Sequence, residues 1–329
     1  MEMGKMIFNN DRLQYSTEKN MYFYYEFIKV EDIEKYAQST KEGINILKEI
    51  QQTVDVFLAE KIDFIMNMKE KIAKIFIVYQ KGKNKYVMMT NDLKDNKKYK
   101  VVIYKSLKEF RKVFQRLNNI DQNASYSKAL GNAKEEIEDV YVNKLLGVIH
   151  KNKKFHDDNG IELTQLLLNG QGTKGFDLDL FQYIPSTDEY VLFEFLKRKN
   201  NYVTNITAHP KRYCWNGKMK DNKQKFNSLW KAKEFFKGRL FLVSYSDDLN
   251  EDISLMEVIQ CDEEKGILEE RKYRLTTREF ICWLRDMNTY NEKDKNYLKN
   301  FKMVHYGPEF FEDFKNKIKD EEYGKELIN

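Results

Sequence analysis

The pattern of the chain predicts an α/β protein: a mixed sheet flanked by helices, preceded by an α+β N-terminal module. Three observations predict it. Short apolar or alternating runs with the mark of strands sit at 75–79, 86–89 and 99–104, and again at 176–183, 190–195 and 240–243. Between them lie stretches with apolar residues at helical spacing, at 44–65, 107–117, 133–150 and 226–236. A polar segment, 121–132 (DQNASYSKALGN), breaks both patterns and divides the chain into modules 1–130 and 131–329.

In the first module, apolar residues from Ile44 to Ile65 predict one helix or a pair. A strand at 75–79 follows, then the hairpin signal Lys81-Gly82-Lys83-Asn84, then strands at 86–89 and 99–104. Ser106 is placed to cap the helix 107–117, with Glu109 completing a capping box. No catalytic constellation is evident in this half, and no internal repeat or low-complexity tract stands out in the chain.

The second module opens with a predicted helix, 133–150. Its acidic first turns (Glu135, Glu136, Glu138, Asp139) suit the positive end of a helix dipole. A short apolar element, 161–168, leads to Gly170-Gln171-Gly172-Thr173-Lys174-Gly175. This spells GxGxxG, yet a dinucleotide fingerprint must leave a strand and open a helix, and here an alternating strand follows. The glycines are read instead as a tight bend that brings the next strand into a crowded place. That strand, 176–183, turns through Pro185-Ser186-Thr187-Asp188 into a second, 190–195. A helix over 225–237 follows, with Gly238 as its C′ residue, then a strand at 240–243. The tail predicts two strands at 253–259 and 266–274, a helix 278–287 capped by Thr277, and a last helix 309–318.

Composition sets bounds. The chain has 329 residues, 41% hydrophobic and 14% aromatic, enough for a globular core in two domains. No apolar run of about 18 residues occurs, so no membrane span is expected. The N-terminus lacks an apolar leader, which predicts a cytoplasmic protein. Three scattered cysteines (Cys214, Cys261, Cys282) fit a reducing compartment and argue against structural zinc. The net charge is +5, from 57 Lys+Arg against 52 Asp+Glu. That mild excess fits a lysine-rich composition or contact with phosphate backbones, and charge alone does not choose.

The candidate chemistry centres on three carboxylates. Asp177 and Asp179 lie two apart on one strand and face one side. Glu194 stands in the middle of the next strand with apolar flanks, where a carboxylate is costly unless it is paired or used. Lys197 follows closely. Carboxylates on adjacent strands can hold Mg2+, which takes a few carboxylate oxygens plus water and substrate phosphate. A nearby lysine can orient a water and stabilise charge on the phosphate. The alternatives are ordinary edge-strand positions for Asp177 and Asp179, and a structural salt bridge from Glu194 to Lys197 or Arg198.

Helix, strand, Asp strand, Glu strand with nearby lysine, helix, strand: over residues 133–245 this order resembles the core of the PD-(D/E)XK nuclease superfamily. The resemblance implies a restriction-endonuclease-like mixed sheet and Mg2+-dependent hydrolysis of phosphodiesters, with Mn2+ as a substitute ion. The family's Asp falls on Asp179, or on Asp177 in another register, and its Glu on Glu194. Its lysine is due two residues later, where Leu196 stands. Lys197 takes the role if a β-bulge at Phe195 or Leu196 turns it back; otherwise a helix lysine such as Lys231 or Lys233 supplies the charge. Glu138 of the first helix is the further metal ligand that the resemblance implies.

The connection 200–222 (NNYVTNITAHPKRYCWNGKMKDN) interleaves His209, Arg212, Tyr213 and Trp215 with lysines. Basic and aromatic residues together suit phosphate pairing and base stacking. Lys199, His209, Arg212, Tyr213 and Lys225 are therefore the candidate nucleic-acid contacts; the alternative is a loop anchored on the core by Trp215 and Tyr213. The expectation is a metal-dependent nuclease acting on double-stranded DNA, of restriction or defence type and working as a homodimer. The rival is a nucleic-acid-binding protein with a degenerate nuclease core.

Overall fold

The computed structural model describes residues 7–16, 19–95, 97–118, 159–170, 175–184, 187–199, 202–204, 208–216, 223–246, 248, 252–289, 301 and 303–311. They form an α/β architecture of mixed sheet and flanking helices in two compact units: residues 8–118 with 159–178, and those from Asp179 onward. The expected linker 121–132 and most of the two predicted helices, 133–150 and 309–318, lie outside the described residues.

In the N-terminal unit, β1 (Ile7–Ser16) pairs antiparallel with β2 (Met21–Lys29), and β2 runs parallel to β3 (Ala73–Tyr79). Two antiparallel strands complete the order β1-β2-β3-β4-β5: β4 (Tyr86–Asn91) and β5 (Tyr99–Tyr104). The sequence reading made nothing of the first pair. Their signal is the run Tyr22 to Ile28, buried throughout, as a strand covered on both faces demands.

The parallel crossover from β2 to β3 carries α1 (Ile33–Ala37), α2 (Gly43–Gln51) and α3 (Val56–Asn67). The amphipathic stretch 44–65 is thus a helix pair. It divides because Asp55 accepts from Leu58 N at 3.0 Å and so begins α3. On α4 (Leu107–Leu117) Ser106 caps as expected, its Oγ accepting from Glu109 N at 3.2 Å, while Glu109 reaches one residue further back than a capping box requires and accepts from Lys105 N at 3.3 Å. Phe110 and Phe114 of α4 pack with Tyr25, Phe27, Ile75 and Ile77. Leu163 and Leu167 of α5 (Asn159–Leu168) join this same core.

Lys74 of β3 is buried and donates to the carbonyls of Met66 and Met68, where α3 ends, at 2.9 and 2.7 Å. Burial pushes its pKa down from 10.5 to about 8. Below pH 8 the ammonium is charged in both states, and the folded chain bears the cost of burying it. As pH rises from 8 towards 10.5 the folded state releases the proton first, so stability climbs. Above pH 10 the trend reverses, because burial keeps Tyr24 and Tyr25 neutral only in the folded chain. The thermal midpoint is expected to be higher at pH 9.5 than at pH 7.5, and the rise to shrink in Lys74→Met. An equal rise in the variant would exclude Lys74 as its source.

In the C-terminal unit, which takes β6 (Phe176–Ile184) from Asp179 on, that strand pairs antiparallel with β7 (Glu189–Lys197), which runs parallel to β8 (Arg239–Tyr245). Antiparallel β9 (Ile253–Asp262), β10 (Gly266–Leu275) and β11 (Met303–Tyr306) complete the order β6 to β11. The crossover holds a π-helical turn, Lys211–Asn216, and α6 (Lys223–Phe235). Gly238 does follow this helix, but the left-handed residue is Lys237 (φ 50°). Gly238 is needed because a Cβ there would lie 2.3 Å from the Tyr190 carbonyl oxygen. The cap of α7 (Thr277–Thr289) is Thr276, one residue before the expected Thr277; its Oγ1 accepts from Glu279 N at 3.2 Å. Phe280 and Trp283 of α7 cover Phe193, Phe195 and Phe241.

Candidate active site

The antiparallel register Leu180↔Phe193 brings Asp179 of β6 opposite Glu194 of β7, one step beyond the last ladder pair. At that step the ladder changes character: Phe195 N donates to Asp179 Oδ2, at 2.5 Å. The carboxylate stands in for a strand carbonyl and is thereby held against β7. Glu194 is buried, 4% exposed. Strands β7 and β8 are covered by α6, and from its first turn Lys225 reaches Glu194 Oε1 at 2.7 Å. The lysine side chain keeps 34% of its surface open to solvent while the Glu194 side chain keeps 6%, so the trio meets water on the lysine side.

Lys197 is exposed and lies three residues after Glu194 in a strand whose ladder with β8 is unbroken from Val191 to Lys197. No bulge interrupts that ladder at Phe195 or Leu196, and strand alternation points Lys197 away from Glu194. The other helix lysines are engaged elsewhere: Lys231 with Glu263 at 2.8 Å, Lys233 with Glu234 at 2.6 Å and over the Trp230 ring. Asp177 is exposed, belongs to the N-terminal unit and lends charge to Arg12 there. Glu138 lies outside the described residues. Among the described residues no group of three or more His, Cys, Asp and Glu side chains is arranged to hold a metal ion.

The expected nucleic-acid contacts separate. Lys199 is exposed and Arg212 half-buried. His209 is buried: its Nε2 lies 2.6 Å from Glu270 Oε2, and its Nδ1 accepts from Lys211 N at 3.1 Å. An Nδ1 that accepts carries no proton, so His209 is the neutral tautomer donating from Nε2 to Glu270. Lys211 is buried too, donating to the Ile267 carbonyl at 3.0 Å. Trp215 Nε1 donates to the Glu263 carbonyl at 3.1 Å, and Gly266 (φ 82°) leaves room for its ring. This part of the connection is thus anchored on β10 and on the turn that leads into it. Tyr213 lies in the π-helical turn. Lys225, expected to face nucleic acid, is the partner of Glu194.

The role of Lys225 was the main omission of the sequence reading. A signal existed: Lys225 precedes Leu229 by four residues, which places it on the buried face of α6. The Gly170–Gly175 loop is followed by β6 and not by a helix, as anticipated, and a Cβ on Gly175 would lie 2.2 Å from the buried Arg12 guanidinium. Comparison with known proteins adds nothing to this geometry, since no family model, curated protein or solved structure matches the chain.

Proposed function

We propose that the C-terminal unit is a divalent-cation-dependent nuclease of restriction-endonuclease-like fold, acting on DNA. One observation carries the reading: two carboxylates stand opposite each other on adjacent strands, and a lysine from the next helix contacts one of them. The donors are oxygens, the kind that Mg2+ and Mn2+ take. When bound, the ion supplies Lewis-acid polarisation of the phosphoryl group and an activated water. Asp179 and Glu194 would hold it. Lys225 balances the Glu194 charge and, being part exposed, can turn to an incoming phosphate, the role first looked for at Lys197.

A second reading has its own support. Lys225 already neutralises Glu194 at 2.7 Å, as a purely structural ion pair would. On that reading the chain binds nucleic acid with a core that no longer cuts. The two separate in one assay: the full chain with Mg2+ or Mn2+ on supercoiled, linear and single-stranded DNA, with chelator controls. The nuclease reading expects cleavage that vanishes with chelator and in Asp179→Asn. Binding without cutting under either ion would sink it.

A further inference from the structure

No internal repeat stood out in the sequence, but the strand registers reveal one. Shifting residues 8–29 by 168 positions superimposes them on 176–197 with no gap. Eight of the 22 positions are then identical: Phe8/Phe176, Asp11/Asp179, Gln14/Gln182, Tyr15/Tyr183, Tyr22/Tyr190, Glu26/Glu194, Phe27/Phe195 and Lys29/Lys197.

The geometry repeats at the same shift. Leu13↔Tyr24 becomes Phe181↔Leu192. Tyr15 hydrogen-bonds Asn20 and Tyr183 hydrogen-bonds Asp188, and both acceptors are left-handed, at φ 50° and 51°. Phe27 N donates to Asp11 Oδ2 at 2.8 Å, as Phe195 N does to Asp179. In each unit the second strand is parallel to the third and the third is antiparallel to the fourth. In each the fifth leads into a capped helix (Ser106 with Glu109, Thr276 with Glu279), and a buried phenylalanine follows the capping glutamate. Each buried glutamate of the second strand takes a lysine from the helix before the third strand: Lys61 to Glu26 at 2.6 Å, Lys225 to Glu194 at 2.7 Å.

The copies differ in two respects. In the first, all three side chains are sealed: Lys61 and Glu26 at 0% exposure, Asp11 at 2%. The second differs also in the connector between its second strand and the crossover helix. Residues 30–55 carry six acidic and three basic residues, net −3; residues 198–222, in the same place, carry six basic and one acidic, net +5.

We propose that the chain is a tandem duplication of one ββαβββα repeat, in which the second copy alone has become the polyanion-binding repeat. The inference deepens the nucleic-acid reading above and rests on it. Duplication supplies two equivalent frames. The first keeps its ion trio closed and its connector acidic, which repels phosphate; the second opens the trio and reverses the connector's charge. The ligand is a phosphodiester chain, met through Lys199 and Arg212 and recognised by charge spacing.

The test measures binding of labelled duplex and single-stranded DNA to the full chain over a salt series, alongside cleavage. Lys199→Glu with Arg212→Gln is compared with Lys35→Glu with Lys41→Glu, which reverses two exposed lysines in the first connector; melting curves show that each variant folds. The second-repeat pair is expected to weaken binding at least about fivefold and to cut the salt slope by about 2, one for each phosphate left without its cation. The first-repeat pair should leave binding within about twofold, the scale of a general change in net charge. Equal weakening by both pairs, or greater weakening by the first, overturns the assignment, as does a second-repeat pair without effect. The contrast seen without cleavage sinks the nuclease reading and leaves this inference standing; no binding to either DNA overturns both.

Discussion

Lys61→Met is expected to lower stability by about 3–5 kcal/mol, the loss measured when one member of a buried ion pair is removed. The lysine lies 2.6 Å from Glu26 and 3.3 Å from Asp11, with both its own and the glutamate side chain at 0% exposure. Methionine fills the volume but leaves two carboxylates without their cation inside the N-terminal unit. At the size of these units the loss corresponds to a fall of roughly 10 °C in thermal midpoint. The double variant Lys61→Met with Glu26→Gln should recover part of it, since one uncompensated charge is gone. Lys225→Met makes the comparison: it also leaves a buried carboxylate without its cation, but the lysine side chain is 34% exposed and water reaches the pair from that side, so the cost should be smaller, about 1–3 kcal/mol. Equal destabilisation by the two lysine variants would mean that both trios are equally sealed, against the asymmetry drawn above.

Glu194→Gln is the second large effect, and it falls on activity. If Asp179 and Glu194 share a divalent ion, the amide loses the charge and cleavage should drop by more than about 100-fold, the most that loss of an outer partner of a metal ligand usually costs. Stability should hardly change, because Lys225 is exposed enough to hydrate once its partner is neutral. Binding should persist, since the expected phosphate contacts lie in the connector. Glu26→Gln is the matching control in the first copy and should leave cleavage intact. Cleavage that survives in Glu194→Gln would remove the carboxylate pair from the chemistry.

Local patterns predicted much of the architecture: the strand runs, the Ser106 cap and the strand after the glycine loop. Each depends on residues a few positions apart, and those contacts form wherever the chain goes. The carboxylates stood out for the same reason, since Glu194 lies in an apolar run that explains nothing else. What the reading missed was long-range. The strands 7–29 went unread although Tyr22 to Lys29 mirrors Tyr190 to Lys197, because eight identities spread over 22 positions are faint until a shared register aligns them. Lys197 is the lysine nearest to Glu194 in sequence, yet three residues along an unbroken strand point its side chain to the opposite face.

The sequence by itself determined the strands and helices whose alternation or caps are plain, and marked Glu194 as an acid in an apolar run that had to find a partner, because alternation, caps and desolvation act locally. Only the tertiary structure decided who those partners are. Lys225 meets Glu194 from 31 residues away, and His209 meets Glu270 from 61, because a crossover helix and a folded-back connector carry them there. The chain has to close those contacts in space, since an unpaired charge at such depth costs more than ordering the loops that bring its counterpart.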